Sequence, residues 1–177
     1  MKLSPQLIFD SLPDEFESKL SGVSPMEATL EAPELLAADA QKLQDGRIIV
    51  TSVSRLPRLA KVVPGCALLC IGDSRRLDWF RKHCAVITVR SDLDFYTVFS
   101  AVQQAFLRIG KWVLDLYQIL ESDGSIQSML EASSAVTPAA AIVVDSSFTC
   151  VASTGMGAVS AGTLGAASAG IAEGVNR

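Results

Sequence analysis

The sequence predicts an α/β fold: a small layered domain with a mostly parallel sheet, then a long amphipathic helix, then a β-hairpin. Three short apolar runs, each bounded by turn residues, are typical of strands that are covered on both faces. A segment with helical spacing between the last two runs supplies the crossover that parallel strands need. After the third run, apolar residues recur at alternating steps of four and three, as on one stripe of a long helix.

Composition narrows the class of protein. The chain has 177 residues and a net charge of -4, and no run of Lys and Arg interrupts it, which argues against a nucleic-acid surface in these residues. No apolar stretch reaches the roughly 18 residues that a membrane span requires. Residues 1–9 lack the apolar run of a secretory signal. We therefore expect a cytoplasmic protein that does not contact a membrane.

The elements of the first domain follow in order. Residues 5–12 have the pattern of a short amphipathic helix, and residues 16–20 and 28–30 are short strands or helical turns. Strands are predicted over residues 47–53, 66–71 and 84–89, with a crossover helix over residues 74–83. These elements make up the predicted α/β domain, residues 1–91.

A long helix is predicted over residues 92–121, with Ser91 as its N-cap and Asp92 and Asp94 in its first turn. Both flanks of its apolar stripe are also apolar or uncharged, so the buried face is wider than that of a simple two-stranded coiled coil. Either the first half seals its own domain and the second half meets another subunit, or the whole helix packs within one chain. The first reading predicts a homodimer. The apolar stripe comprises Phe95, Phe99, Val102, Phe106, Ile109, Val113, Leu116 and Leu120, and the dimerisation surface would comprise Phe106, Ile109, Val113, Leu116 and Leu120.

A second region is predicted over residues 122–153. It contains a short helix over residues 125–134 and a hairpin formed by residues 139–144 and 148–152. The remaining residues, 154–177, form the predicted tail. From residue 155 to residue 174 the sequence is mostly Gly, Ala, Ser, Thr and Val, without aromatic residues, and such a segment cannot build a core of its own. We expect it to be a flexible tail or a weak helix.

No catalytic or metal-binding pattern stands out. The one histidine, His83, has no nucleophile motif near it. Cys66 and Cys70 fall in one strand, about 13 Å apart, which is too far for them to share a metal ion. We therefore expect buried, unreactive thiols, no metal, no cofactor and no enzymatic activity.

The best candidate for a binding site lies at the ends of two strands. Ligands of open parallel sheets settle beyond the carboxyl ends of the strands, where loops lead into helices. The alternative is that these loops are ordinary turns and caps. A small polar or anionic metabolite would meet Gly72, Asp73, Ser74 and Arg75 after one strand, and Arg90 and Ser91 after the next.

Several segments resemble the amino-terminal half of PucR-type transcriptional regulators, the purine catabolism regulator family. The resemblance lies in residues 1–9, in Asp45-Gly46-Arg47, in residues 64–73, in residues 92–106 and in residues 141–145. The last of these looks like the first hairpin of a PAS- or GAF-like sensory domain. These motifs are structural rather than catalytic.

The resemblance implies a regulatory role. In that family an amino-terminal α/β domain precedes a second sensory region, and a helix-turn-helix near the carboxyl terminus binds DNA; we therefore expect this chain to be the effector-sensing and dimerising half of such a regulator. This chain has no helix-turn-helix pattern, so DNA binding is not assigned to its residues. Either it is a fragment or truncated form of a longer regulator, or the resemblance concerns only the regulatory half. The alternatives are a small-molecule-binding α/β enzyme that uses the strand-end loops, or a scaffolding module without a ligand.

Overall fold

The computed structural model describes residues 2–23, 29–36, 42–57, 61–63, 65–137 and 139–155. The chain divides into two compact units, Met1–Gly110 and Lys111–Arg177, with the division inside a long helix. Among the described residues, no helix is both long enough and apolar enough to cross a membrane. Nearly all of the predicted tail, from residue 156 on, lies outside the described residues.

The first unit is built on a five-stranded mixed sheet, which confirms the predicted α/β fold. Its strands lie in the order β1-β5-β4-β3-β2, and β2, β3, β4 and β5 are parallel, whereas β1 pairs antiparallel with β5. The strands are β1 (Lys19–Gly22), β2 (Ala32–Leu35), β3 (Arg47–Ser52), β4 (Ala67–Ile71) and β5 (Ala85–Val89).

The three central strands form where the apolar runs predicted them. All five residues of β4 and all five of β5 are buried, because both faces of the sheet are covered. The crossover between them is the short helix α2 (Leu77–Arg81), which buries Leu77 and Phe80. The core therefore lies around β3, β4 and β5, and their carboxyl ends meet at one edge of the sheet.

The two edge strands differ from the sequence-based expectation. The segment predicted as residues 16–20 forms a 3-10 turn over Asp14–Phe16 and then β1. Of the segment predicted as residues 28–30, Leu30 makes an isolated bridge to Leu3, and residue 28 lies outside the described residues. β2, which contains Pro33, was not predicted. Each edge strand has only four residues and no fully buried side chain, so neither shows an apolar run.

The first helix, α1 (Pro5–Asp10), is confirmed, with Ser4 as its N-cap. The long helix, α3 (Phe95–Glu121), is also confirmed, but the prediction of its start was wrong. Asp94 rather than Ser91 is the N-cap: its carboxylate accepts a hydrogen bond from the Thr97 backbone amide at 2.9 Å. Residues 91–93 form a turn, and the Asp92 carboxylate is bound by Arg90 instead of capping the helix.

The buried face of α3 is also displaced from the predicted stripe. Val98, Val102, Ala105 and Ile109 are buried, and two of them, Val98 and Ala105, had been placed beside the stripe rather than in it. In the first half of α3, three residues of the predicted stripe are only half-buried: Phe95, Phe99 and Phe106. An ideal helix drifts by about 20° per heptad relative to a strict seven-residue repeat, so the stripe alone does not fix which side faces the core.

The second unit holds the end of α3, the helix α4 (Ile126–Ser133) and an antiparallel hairpin of β6 (Ala141–Val144) and β7 (Cys150–Thr154). Both the short helix and the hairpin were predicted. The indole Nε1 of Trp112 donates to Ser133 Oγ at 3.1 Å, which connects α3 to α4 within this unit. The side-chain amide of Gln127 accepts from the Ser153 amide at 3.0 Å and donates to its carbonyl at 3.2 Å, so α4 is bound to β7.

Candidate functional site

Three loops meet at the carboxyl edge of the sheet in the first unit. A 3-10 turn, Val53–Arg55, follows β3; residues 72–76 follow β4; and residues 90–94 follow β5. They come together because the three strands are parallel and in register, with Ser52 opposite Ile71 and Ile71 opposite Val89. This edge is where ligands of parallel sheets bind.

An open cleft of about 600 Å³ lies between these loops. A volume of this size is within the range of small-molecule sites. Its walls carry hydroxyl groups, one carboxylate, one guanidinium and apolar side chains. The lining residues are Ser52, Val53, Ser54, Arg55, Ile71, Gly72, Asp73, Ser91, Leu93 and Phe95.

A smaller cleft of about 190 Å³ adjoins the first and shares three residues with it, Gly72, Asp73 and Ser91. Charged groups of both signs line the smaller cleft. It is completed by Glu17, Lys19, Thr88, Val89 and Arg90.

Gly72 allows the chain to leave β4 at this edge. Its φ is +85°, and a Cβ added there would lie 3.3 Å from Val53 Cγ2 and 3.4 Å from Ser91 Cβ. An L-residue would be strained in this conformation and would also press the loops apart. Glycine at position 72, which lines both clefts, therefore suits both the backbone conformation and the close approach of the neighbouring loops.

Two of the charged side chains that line the clefts, Asp73 and Arg90, are held in ion pairs. Arg81 donates to Asp73 at 2.7 Å and to Asp78 at 2.8 Å, and its Nε donates to Ser21 Oγ in β1 at 3.2 Å. The hydrogen bond to Asp73, more than that to Asp78, raises the pKa of Arg81. Arg81 thus fixes the Asp73 carboxylate, which lines both clefts, and neutralises much of its charge.

The Arg90 guanidinium is also bound to a carboxylate. Its Nε donates to Asp92 Oδ1 at 2.9 Å, its Nη2 also binds this carboxylate, and its Nη1 donates to the Glu15 carbonyl at 3.4 Å. The hydrogen bond from Arg90 lowers the pKa of Asp92, and the same bond raises the pKa of Arg90. Arg90, one of the two cations predicted to receive an anionic ligand, is therefore already bound to a carboxylate.

Arg55 has no carboxylate partner among the described residues. Its guanidinium carbon lies 5.5 Å from the centre of the Phe95 ring, in a cation–π arrangement. Ser52 Oγ and Ser54 Oγ, 2.9 Å apart, lie on the same wall of the larger cleft. The wall after β3 thus supplies a cation and two hydroxyl groups.

The predicted binding residues divide into two groups. Gly72, Asp73 and Ser91 line both clefts, and Arg90 lines the smaller one. Arg75 is exposed and lines neither of these two clefts. Ser74 also lines neither; its hydroxyl is buried without a hydrogen-bond partner in the described part of the chain.

Sequence reasoning missed the wall after β3, which contributes Ser52, Ser54 and Arg55. The signal was present, because β3 was predicted to be parallel to its neighbours and its carboxyl end must then reach the same edge. Sequence reasoning also missed Phe95, the first residue of α3, as a lining residue.

The predicted dimerisation residues occupy different environments along α3. Ile109 is buried within the first unit. Phe106, Val113 and Leu116 are half-buried, and Leu120 is exposed. The other large apolar side chains exposed on this part of α3 are Leu107, Leu114 and Tyr117.

The clefts have the groups for binding a small polar molecule: hydroxyls, a cation on an aromatic ring and a fixed carboxylate. Across the described ranges, no group of three or more His, Cys, Asp or Glu side chains could hold a metal ion. Comparison of the chain with protein-family models, with curated proteins and with solved structures found no match in any of the three.

Proposed function

We propose that this chain is the effector-sensing and dimerising part of a PucR-type transcriptional regulator, with no DNA-binding domain in these residues. A small polar or anionic metabolite binds in the cleft at the carboxyl edge of the sheet, and α3 carries its effect onward. The observation that supports this most is the position of Phe95. It is the first residue of α3, it lines the cleft, and Arg55 lies over its ring.

The cleft and the helix are linked through short connections. The loop after β5 contributes Ser91 and Leu93 to the cleft and then passes into the N-cap, Asp94, and into Phe95. A ligand that binds Arg55 competes with its contact to the ring, and one that binds Ser91 restrains the loop. Either contact favours one position of the first turn of α3 over another. An effector shifts the population of a conformation only through such a difference in free energy.

The proposed dimer uses the exposed side of α3. Leu114, Tyr117 and Leu120 leave 60–63% of their surfaces exposed within a single helix segment, residues 111–121. Large apolar side chains grouped in this way mark surfaces that meet a partner. A second copy of this chain, which would bring the same helix, is the partner we propose.

A thermal-shift screen with small polar and anionic metabolites tests the binding function. We expect at least one compound to raise the melting temperature of the wild type, because a ligand stabilises the state that binds it. The shift should be largely lost in Arg55→Gln, whose cation lines the cleft, and retained in Arg75→Gln, which removes an exposed cation outside it.

The same screen separates the other two functions. If a stabilising compound is consumed when incubated with the protein, as followed by mass spectrometry, the cleft belongs to an enzyme. If no compound shifts the melting temperature, or if Arg55→Gln and Arg75→Gln respond alike, the sensing proposal is wrong and a scaffolding role is favoured.

A further inference from the structure

Two cysteines lie side by side at the amino ends of β4 and β5, the edge opposite to the clefts. Cys66 directly precedes β4 and Cys84 directly precedes β5. The strands are parallel, and the first residues of their ladder, Ala67 and Ala85, are opposite each other. Cys66 and Cys84 are therefore neighbours one step before the ladder. Both side chains belong to one buried core cluster.

The spacing of adjacent strands suits a disulfide. Neighbouring strands lie about 4.8 Å apart, and the Cα atoms of disulfide-bonded cysteines are usually about 4.4–6.8 Å apart. The same core cluster contains Cys70, but Cys70 pairs with Thr88 in the ladder and lies about 13 Å along the strand from Cys66. Cys84 is thus the one cysteine of the first unit within bonding reach of Cys66. All four cysteines are free thiols.

The two thiols differ in acidity. Hydrogen bonding with Cys84 lowers the pKa of Cys66, and the same interaction, together with burial, raises the pKa of Cys84. Burial raises the pKa of Cys70 to about 12. The thiolate is the nucleophile in thiol oxidation, so Cys66 is the thiol of this core that should react first.

Both thiols are buried, yet each is next to a surface loop. Lys82 and His83, which precede Cys84, are exposed, and Gly65, which precedes Cys66, is half-buried. Local opening of such loops requires less free energy than unfolding of the domain. A molecule as small as hydrogen peroxide can then reach the Cys66 sulfur.

We propose that Cys66 and Cys84 are a modification site, at which hydrogen peroxide forms a reversible disulfide that joins β4 to β5. The Cys66 thiolate attacks one peroxide oxygen and breaks the O–O bond, which gives a sulfenic acid and a hydroxide that takes up a proton. The Cys84 sulfur then attacks the sulfenic sulfur, so that an S–S bond forms and the S–O bond breaks. The departing hydroxide leaves as water with the Cys84 proton, so two thiols are oxidised and one peroxide is reduced to two waters.

The test is a map of cysteine linkages in the whole chain. The folded protein is treated with hydrogen peroxide, alkylated in denaturant and digested for mass spectrometry. We expect a peptide pair linked through Cys66 and Cys84, lost after treatment with dithiothreitol, with Cys70 and Cys150 alkylated. The same treatment in guanidinium chloride should give mixed pairings, because the fold no longer selects the partner.

Two variants check the order of the steps. Cys84→Ser removes the partner thiol but keeps a hydroxyl group that can donate a hydrogen bond to Cys66, so Cys66 should stop at the sulfenic acid and be trapped by dimedone. Cys70→Ala is the matched control, since it removes a buried thiol of the same cluster and should leave the Cys66–Cys84 linkage intact. Alkylation of all four cysteines in the peroxide-treated wild type would overturn the proposal, as would a preferred linkage through Cys70 or Cys150.

Discussion

At the scale of single residues, the candidate site depends on side chains that fix the loops rather than on side chains that react. Arg81 holds Asp73 and reaches Ser21 in β1, and Arg90 holds Asp92. Both ion pairs are exposed to solvent to a large degree, so each contributes little to stability. The two ion pairs act mainly on geometry, because each holds one carboxylate at the strand ends in a single position.

Gly72 is the residue whose replacement should disturb this geometry most. We expect Gly72→Ala to lower the free energy of unfolding by about 1–2 kcal/mol, and by more than Gly46→Ala does, because its Cβ is strained at a φ of +85° and also presses on Val53 and Ser91. Denaturant unfolding measures the loss. Gly46→Ala is the control for positive φ alone, since a Cβ there would have no neighbour closer than 3.6 Å. Wild-type stability of Gly72→Ala would contradict this account of the loop.

Asp94 should make the start of α3 sensitive to acid. Hydrogen bonds from the Thr97 side chain and backbone lower the pKa of this carboxyl group in the folded protein. A depressed folded pKa stabilises the folded state above the unfolded-state pKa, and the stabilisation is lost as the pH falls through the folded value. Asp94→Ala should therefore melt at a lower temperature than the wild type at neutral pH.

The difference in melting temperature should shrink as the pH falls below the folded pKa of Asp94, where the wild-type carboxyl is protonated too. Melting curves followed by circular dichroism at a series of pH values measure it. A difference that stays constant into acid would show that Asp94 does not cap the helix as a carboxylate.

At the scale of secondary-structure elements, α3 has two different faces. Its first half buries Val98, Val102, Ala105 and Ile109, whereas Leu107 leaves 65% of its surface exposed although it lies only two residues from Ile109. The two positions have similar side chains and the same helical context. Substitution of Ile109 therefore measures core packing, whereas substitution of Leu107 measures helix propensity.

We expect Ile109→Ala to lower the free energy of unfolding by about 2–5 kcal/mol, because it removes most of a fully buried side chain and leaves a cavity in its place. Leu107→Ala should change it by less than about 0.5 kcal/mol, as is usual for exposed positions. Denaturant unfolding of the two variants side by side measures the contrast. Equal effects would mean that the buried face of α3 is not the one described.

How much of the fold the sequence predicts depends on burial. β3, β4 and β5 are covered on both faces, so their apolar runs are unmistakable. β1 and β2 are short edges whose pairing depends on distant strands, and their own residues carry little signal. The start of α3 was missed by a few residues because Ser91 and Asp94 are both good caps, and only the tertiary turn that engages Asp92 decides between them.

The candidate site, like the fold, could be predicted only in part. The general rule for parallel sheets predicts its place, and Gly72, Asp73 and Ser91 are at that place. Which arginine faces the cleft is not predictable from the chain. Arg75, Arg90 and Arg55 look alike in sequence, and only the ion pair of Arg90 and the packing of Arg55 on Phe95 distinguish them.

At the scale of the whole molecule, the proposed dimer is the property most open to a simple test. Leu114→Lys places a charge in the exposed apolar group of α3 and should shift the protein from dimer to monomer in analytical ultracentrifugation. Ser146→Lys adds the same charge at the exposed hairpin turn and should remain dimeric. A wild type that is monomeric at high concentration, or a Leu114→Lys variant that remains dimeric, would contradict this part of the proposal.

The central claim is that an effector bound at the strand ends acts on the start of α3, and amide hydrogen exchange tests it most directly. The probe is a compound that stabilises the wild type but not Arg55→Gln in the thermal-shift screen. We predict that this compound slows exchange in residues 91–98, where the cleft passes into the helix. Exchange in these residues that is unchanged while the compound is bound would contradict the account.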